Sequence, residues 1–176
     1  MVNDKRITIA LLGNPNTGST TLFNKLTGLH SSVGNYPRVT VGIRKHTFEP
    51  KGWDIQLVDL PGIYSLSCRP DEERASRNFL YHGSQDLILN VLDMSNLERN
   101  LLLTSQLIEM SIPRISVLNM VDEATKKGVE LDTESFAYLL GTSVVETNAR
   151  DGEGVDDLFK VIMEFAEAET QPNLIK

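Results

Sequence analysis

The chain has 176 residues, 40% of them hydrophobic and 23% charged, with a formal net charge of −7. That length suits one domain with a real core, and the acidic balance opposes a nucleic-acid binder, which needs a basic face, though not a binder of one nucleotide. A single cysteine, Cys68, excludes an internal disulfide and fits a reducing compartment, and no stretch approaches the ~18 apolar residues that span a bilayer.

The opening Met1–Arg6 lacks a signal-peptide core, so the chain as written reads as soluble. Ile7–Leu12, ending at Gly13, predicts a buried first strand, and Thr20–Leu26 a helix closed by Gly28. Ser31–Pro37 reads as an exposed loop. Thr40–Phe48 and Trp53–Val58 read as two strands joined by a turn over Glu49–Gly52. A helix over Asp71–Tyr81, a strand over Leu87–Leu92 and a helix over Leu97–Met110 follow. Ile115–Asn119 predicts a strand, Thr133–Leu140 a helix, and Ser143–Val145 a short last strand. In the final helix Val155, Leu158, Phe159, Ile162, Met163 and Ala166 keep i, i+3, i+4, i+7 spacing, the mark of a core-facing stripe. This alternation predicts an α/β domain whose mostly parallel sheet carries helices on both faces, with any ligand beyond the carboxyl ends of the strands.

Gly13-Asn14-Pro15-Asn16-Thr17-Gly18-Ser19-Thr20, followed by Thr21, lies between a predicted strand and a predicted helix, the context of the phosphate loop G-x-x-x-x-G-K-[ST]. Its glycines let backbone N–H groups face phosphate, the helix N-terminus adds partial positive charge, and Thr20 stands where a hydroxyl would meet Mg²⁺. Ser19 occupies the lysine position. A hydrogen bond to a charged group is worth roughly 1.5–3 kcal/mol, so this loss would weaken nucleotide binding about tenfold to a hundredfold and handicap hydrolysis. Alone, the octapeptide is equally a glycine-rich strand-to-helix turn without a ligand.

Asp59-Leu60-Pro61-Gly62 ends a strand with the pattern D-x-x-G: Asp59 suits a Mg²⁺-bound water, and the Gly62 N–H suits the γ-phosphate. Ile63 follows, where many GTPases place the glutamine that orients water. Asn119-Met120-Val121-Asp122 matches N-K-x-D with Met for Lys, and Asp122 suits the N1–H and amine of guanine. Its bland alternative is a helix cap formed by Asp122 or Asn119. At Asn148-Ala149-Arg150 a backbone N–H could meet guanine O6, and Thr40 is a further candidate contact to Mg²⁺ and γ-phosphate. Four elements in order, each at a strand end, point to a GTPase-type domain: a P-loop GTPase (Ras-like) fold with a six-stranded sheet. His30, His46, His82 and Cys68 form no recognisable metal-ligand spacing and read as structural or surface residues.

Several strings are more specific. Gly13-Asn14-Pro15-Asn16, Val33-Gly34-Asn35-Tyr36-Pro37, Val39-Thr40-Val41, Asp59 to Leu66 and Ser95 to Leu101 resemble the N-terminal G domain of bacterial FeoB ferrous-iron transporters, over about Lys5 to Ala166. The resemblance implies a G domain over 1–170 and, at 171–176, the start of a linker to a helical spacer and a transmembrane region that passes Fe²⁺. It implies a weak GTPase at the cytoplasmic face of the bacterial inner membrane, with GTP or GDP, Mg²⁺ and K⁺ as cofactors. Thr20, Thr40 and Asp59 match the family's magnesium positions, and Asn16 its potassium ligand. Asn16, Thr40 and Gly62 are the expected catalytic contacts. Expected partners are the guanine nucleotide, the rest of the polypeptide and further copies of the transporter, with no nucleic acid.

Three positions depart from the family pattern: Ser19, Arg38 where glycine is usual, and Asn148 where serine is usual. Arg38 either swings inward to replace the missing lysine's charge or is a solvated loop arginine. Two functions follow, a slow GTPase switch or a nucleotide-binding regulatory module without useful turnover. A third, a GTPase acting on RNA, is opposed by the acidic charge.

Overall fold

The computed structural model describes residues 5–30, 38–40, 42–67 and 73–169, with only the backbone for 29, 30 and 38–40. Strand β1 (Arg6–Gly13) leads into helix α1 (Ser19–His30), followed by β2 (Arg38–Thr40), β3 (Ile43–Phe48) and β4 (Asp54–Asp59). Then come α2 (Arg74–His82), β5 (Leu87–Asp93), α3 (Leu97–Glu109), β6 (Arg114–Asn119), α4 (Val121–Lys126), α5 (Thr133–Leu140), β7 (Ser143–Glu146) and α6 (Val155–Glu169). The sheet order is β2-β3-β4-β1-β5-β6-β7. β4, β1, β5, β6 and β7 run parallel, while β3 joins β4, and β2 joins β3, antiparallel. The expected six-stranded sheet is thus present, with the three-residue β2 added at its edge.

Period-two alternation in β1 divides the core. Ile7, Ile9 and Leu11 join Leu22, Phe23 and Leu26 of α1 and Leu158, Ile162 and Met163 of α6 on one face. Ala10 and Leu12 join Leu80 of α2 and Leu103 and Leu107 of α3 on the other. Covered on both faces, central strands such as Leu87–Leu92 are continuously buried, as parallel strands between helix layers must be. A third cluster under α4 and α5 gathers Leu92, Leu118, Ala124, Phe136 and Leu140.

Three elements differ from expectation. Helix α1 continues through Gly28 to His30: Gly28 has a negative φ and an open surface, so it costs the helix about 1 kcal/mol without ending it. The expected strand over Thr40–Phe48 is broken by Gly42, whose φ of +80° lets the chain fold back so that Thr40 pairs with Ile43. Helix α4 has only six residues, too few to show a period. The loop Ser31–Pro37, Cys68, the first residues of the expected second helix and the linker 171–176 lie outside the described residues.

Candidate functional site

Four parallel strands deliver four loops to one edge of the sheet. β1 ends at Gly13, β4 at Asp59, β6 at Asn119, and β7 leads to Asn148. The first two are neighbours in the sheet, and the chain after β4 hydrogen-bonds back to β1: the Leu60 N–H donates to the Leu11 carbonyl and the Ile63 N–H to that of Gly13, both at 3.1 Å. This seats the D-x-x-G turn against the phosphate loop, and a Cβ on Gly62 would stand 2.9 Å from the Pro15 backbone, so the approach needs glycine.

The loop itself bends through two left-handed residues, Asn16 at φ 67° and Gly18 at φ 86°. Such bends turn successive N–H groups toward one concavity and make an anion nest. The first α1 hydrogen bond, from the Leu22 N–H to the Gly18 carbonyl at 2.9 Å, leaves the earlier N–H groups at the helix mouth. Gly18 is fixed from outside as well, since a Cβ there would meet Asn119 Nδ2 at 2.3 Å. The methyl of Met120 lies beside it, 3.7 Å from that same Cβ position.

Asn119 is the brace of the site. Buried to 3% exposure, it donates from Nδ2 to the Thr17 carbonyl at 2.9 Å and accepts at Oδ1 from Thr147 Oγ1 at 3.1 Å and the Ala149 N–H at 2.9 Å. The helix-cap alternative for Asn119 therefore fails: α4 begins after Met120, which is left-handed at φ 62°, without a side-chain cap. Asp122 sits in the first turn of α4, partly exposed, with Lys126 at 4.0 Å. In the last loop the Asn148 N–H bonds the Glu153 carbonyl at 2.9 Å, its side chain donates to Asp151 at 2.7 Å, and the Ala149 N–H is taken by Asn119. Of the three residues expected to offer an N–H to a base, the first two donate theirs to the protein.

Around the phosphate loop three buried oxygens accept nothing: Asn14 Oδ1, Thr17 Oγ1 and Asp59 Oδ1. Each such atom costs about 1–3 kcal/mol, and groups left this way ask for an explanation in a ligand or ion. Thr20 Oγ1 donates to Asp59 Oδ2 at 3.0 Å, and both are the hard oxygens Mg²⁺ prefers, the hydroxyl suited to bind the ion and the carboxylate to hold its bound water. The residues present fit that metal.

Two residues given no role by the sequence belong to the site. Arg44, on β3 directly across from Asp59, donates from Nη2 and Nε to Asp59 Oδ2 at 2.9 and 3.3 Å. Counting back across the hairpin from the Phe48–Ile55 pair would have placed it there. Arg99, at the start of α3, accepts at its carbonyl from Asn14 Nδ2 at 2.9 Å and donates from Nη2 to Tyr64 Oη at 2.6 Å. Thr40 contributes described backbone only, paired with Ile43 at the sheet edge, and the side chain of Arg38 is outside the described residues.

This edge of the sheet is matched by known proteins. Residues 7–162 fit the family model of Ferrous iron transport protein B, FeoB_N. The chain belongs to the FeoB family. It is 44% identical over 166 residues to the Fe(2+) transport protein A/Fe(2+) transporter FeoB fusion protein of Porphyromonas gingivalis, covering 94% of this chain and 20% of that protein. The chain therefore spans about a fifth of the length of the curated FeoB relatives it matches. Among solved structures, the FeoB G-domain from Methanococcus jannaschii superposes with a TM-score of 0.80 at 37% identity, covering 93% of this chain and 99% of that one. NFeoB from S. thermophilus, bound to GDP.AlF4- and K+, superposes with a TM-score of 0.75 at 44% identity, covering 90% and 61%. The mostly parallel P-loop GTPase fold of FeoB G domains is thus the fold of this chain. Among its described residues no helix is long and apolar enough to cross a membrane.

Proposed function

We propose that this FeoB domain binds GTP and GDP and acts as a slow GTPase switch that regulates Fe²⁺ import, working beside a membrane-spanning region of the same polypeptide at the cytoplasmic face of the membrane. The observation that carries the reading is the Asn119 side chain, which ties the phosphate loop at Thr17 to the base-side loop at Ala149. One nucleotide, its phosphates at one end and its base at the other, fits that span.

In this reading the N–H groups of Asn16 and of Gly18 to Thr21 cradle the phosphates between Gly13, Asn14, Pro15 and Gly62, while Thr17 gives its own to the Asn14 carbonyl at 3.3 Å. Thr20 and Asp59, with Thr40, hold Mg²⁺, which when bound neutralises charge between the β- and γ-phosphates. Asn16, left-handed and exposed at the loop's crest, is the position for K⁺, the ion named with the S. thermophilus relative. Asp122 accepts from guanine N1–H and its amine, Met120 covers the loop beside Gly18, and Arg150 is left to offer the N–H toward O6 that Asn148 and Ala149 spend elsewhere.

Changing Asp122→Asn tests this directly. Its carboxylate should select guanine, whereas an amide there should favour xanthine by at least about tenfold, since leaving a polar edge unpaired costs more than one decade. Equal affinity of the unchanged chain for GDP and ADP would remove the reading.

One observation favours a second reading, a nucleotide-binding regulatory module without useful turnover. Ile63, at the glutamine position, is fully buried, and Ser19 cannot supply the lysine charge. Single-turnover GTP hydrolysis in K⁺ and in Na⁺, with Ser19→Lys alongside, separates the two. Turnover by the unchanged chain, faster in K⁺, supports the switch; turnover only after Ser19→Lys supports the module.

A further inference from the structure

The phosphate loop carries serine where its chemistry calls for a cation, in a protein whose net charge is −7. Bringing a nucleoside diphosphate to it would set the phosphates beside the carboxylate of Asp59, with no lysine between them. The structure nevertheless holds a positive charge at this place. The guanidinium of Arg44 reaches Asp59 Oδ2 with two N–H groups, and that same oxygen accepts the hydroxyl of Thr20. One hydrogen-bonding atom therefore separates the cation from the helix mouth where the phosphates would lie.

Resting over the Phe23 ring, 4.9 Å from its centre, the guanidinium is held by α1 as well as by β4. Thr20 and Phe23 are three residues apart on α1 and share a face, so Arg44 is guided along the side of the helix that opens onto the loop. Its side chain is 31% exposed while that of Asp59 is 6% exposed. A structural ion pair with no other duty could be as buried as its acid; this one keeps an open side. Its remaining N–H donors engage none of the described residues, and a planar fork with donors to spare suits phosphate.

We propose that Arg44 is the phosphate-site cation of this domain, supplying from β3 the charge that Ser19 does not supply from α1. The inference rests on the guanine-nucleotide reading above and adds a residue to it. Arg44 stands apart from the loop sequence, so the site keeps its counter-charge although its loop motif is incomplete.

The test is an equilibrium titration of fluorescently labelled GDP, in EDTA so that no metal supplies the charge. It compares the unchanged chain with R44Q, R44M, R44K, S19K and S19K/R44Q, with a thermal melt of each. R44Q and R44M should bind about tenfold more weakly and R44K less than threefold more weakly. In the S19K background R44Q should cost less than threefold, because the lysine makes the arginine redundant. S19K alone, which leaves Arg44 and its packing intact, should gain less than tenfold. The inference is overturned if R44Q binds as the unchanged chain does, if its loss is equal in both backgrounds, or if S19K alone gains a hundredfold. Should the unchanged chain bind GDP and R44Q bind it as tightly, the nucleotide reading stands and Arg44 is refuted; should the unchanged chain bind GDP neither in EDTA nor with Mg²⁺, both fall.

Discussion

The amide of Asn119 and the backbone carbonyl of Thr17, 102 residues apart in sequence, meet at 2.9 Å in the buried centre of the site. The contact joins the end of β6 to the loop between β1 and α1. Because the other end of the same side chain also holds Thr147 and Ala149, three loops share one residue, and none can shift without breaking a buried hydrogen bond.

Asn119→Ala should therefore act far beyond its size. It leaves the Ala149 N–H and the Thr147 hydroxyl without a buried acceptor, at about 1–3 kcal/mol for each group. A loss of about 2–4 kcal/mol in urea denaturation is expected, and a loss under 1 kcal/mol would show that the loops hold themselves.

Gly18→Ala places a methyl group 2.3 Å from Asn119 Nδ2 at a φ of +86°. Strain and clash together should cost at least about 2 kcal/mol. The clash belongs to the pair, so Gly18→Ala combined with Asn119→Ala should cost less than the two single changes added; strict additivity in the denaturation cycle would argue against it.

Arg99→Ala removes the hydrogen bond to Tyr64 and the guanidinium stacked 4.8 Å from its ring centre. The backbone contact of Arg99 with Asn14 survives the change. Global stability should move by no more than about 1 kcal/mol, whereas amide exchange over Gly62 to Ser67 should quicken. Unaltered exchange there would mean that Tyr64 does not anchor this turn.

Asp132 caps α5, accepting from the Ser135 N–H at 3.1 Å and its hydroxyl at 2.6 Å. These bonds, the hydroxyl's first, hold its carboxyl below the ordinary value of 3.8. A depressed carboxylate stabilises the fold above its unfolded value and loses that contribution as pH falls through the folded one. Asp132→Ala should lower the melting temperature at pH 7, and the difference from the unchanged chain should shrink below pH 3.8. A gap that stayed constant into acid would refute the cap.

Local chemistry explains what the sequence made legible. The strand before Gly13 is a compact run broken only by Thr8, and motif residues stand at the ends of β1, β4 and β6, so both the sheet and the edge that gathers these loops could be foreseen. Asn119 was assigned to the correct loop but not to its work, because its partners at Thr17, Thr147 and Ala149 become neighbours only once three strands align. Arg44 was missed for a similar reason: its meaning lies in the residue across the strand, not in the residues beside it. Gly28 misled because glycine ends helices often, most readily through a left-handed φ, and Gly28 does not adopt one.

The pairing of β3 with β4 is also an electrical address. With Arg44 across from Asp59, a fixed cation faces the acid; shifted by two residues, the same two strands would set Gly42 or His46 there, and shifted by one, every side chain would change face. A single residue inserted between Lys45 and Phe48 would thus leave every loop motif intact letter for letter while setting the ammonium of Lys45, in place of the forked guanidinium, across from Asp59.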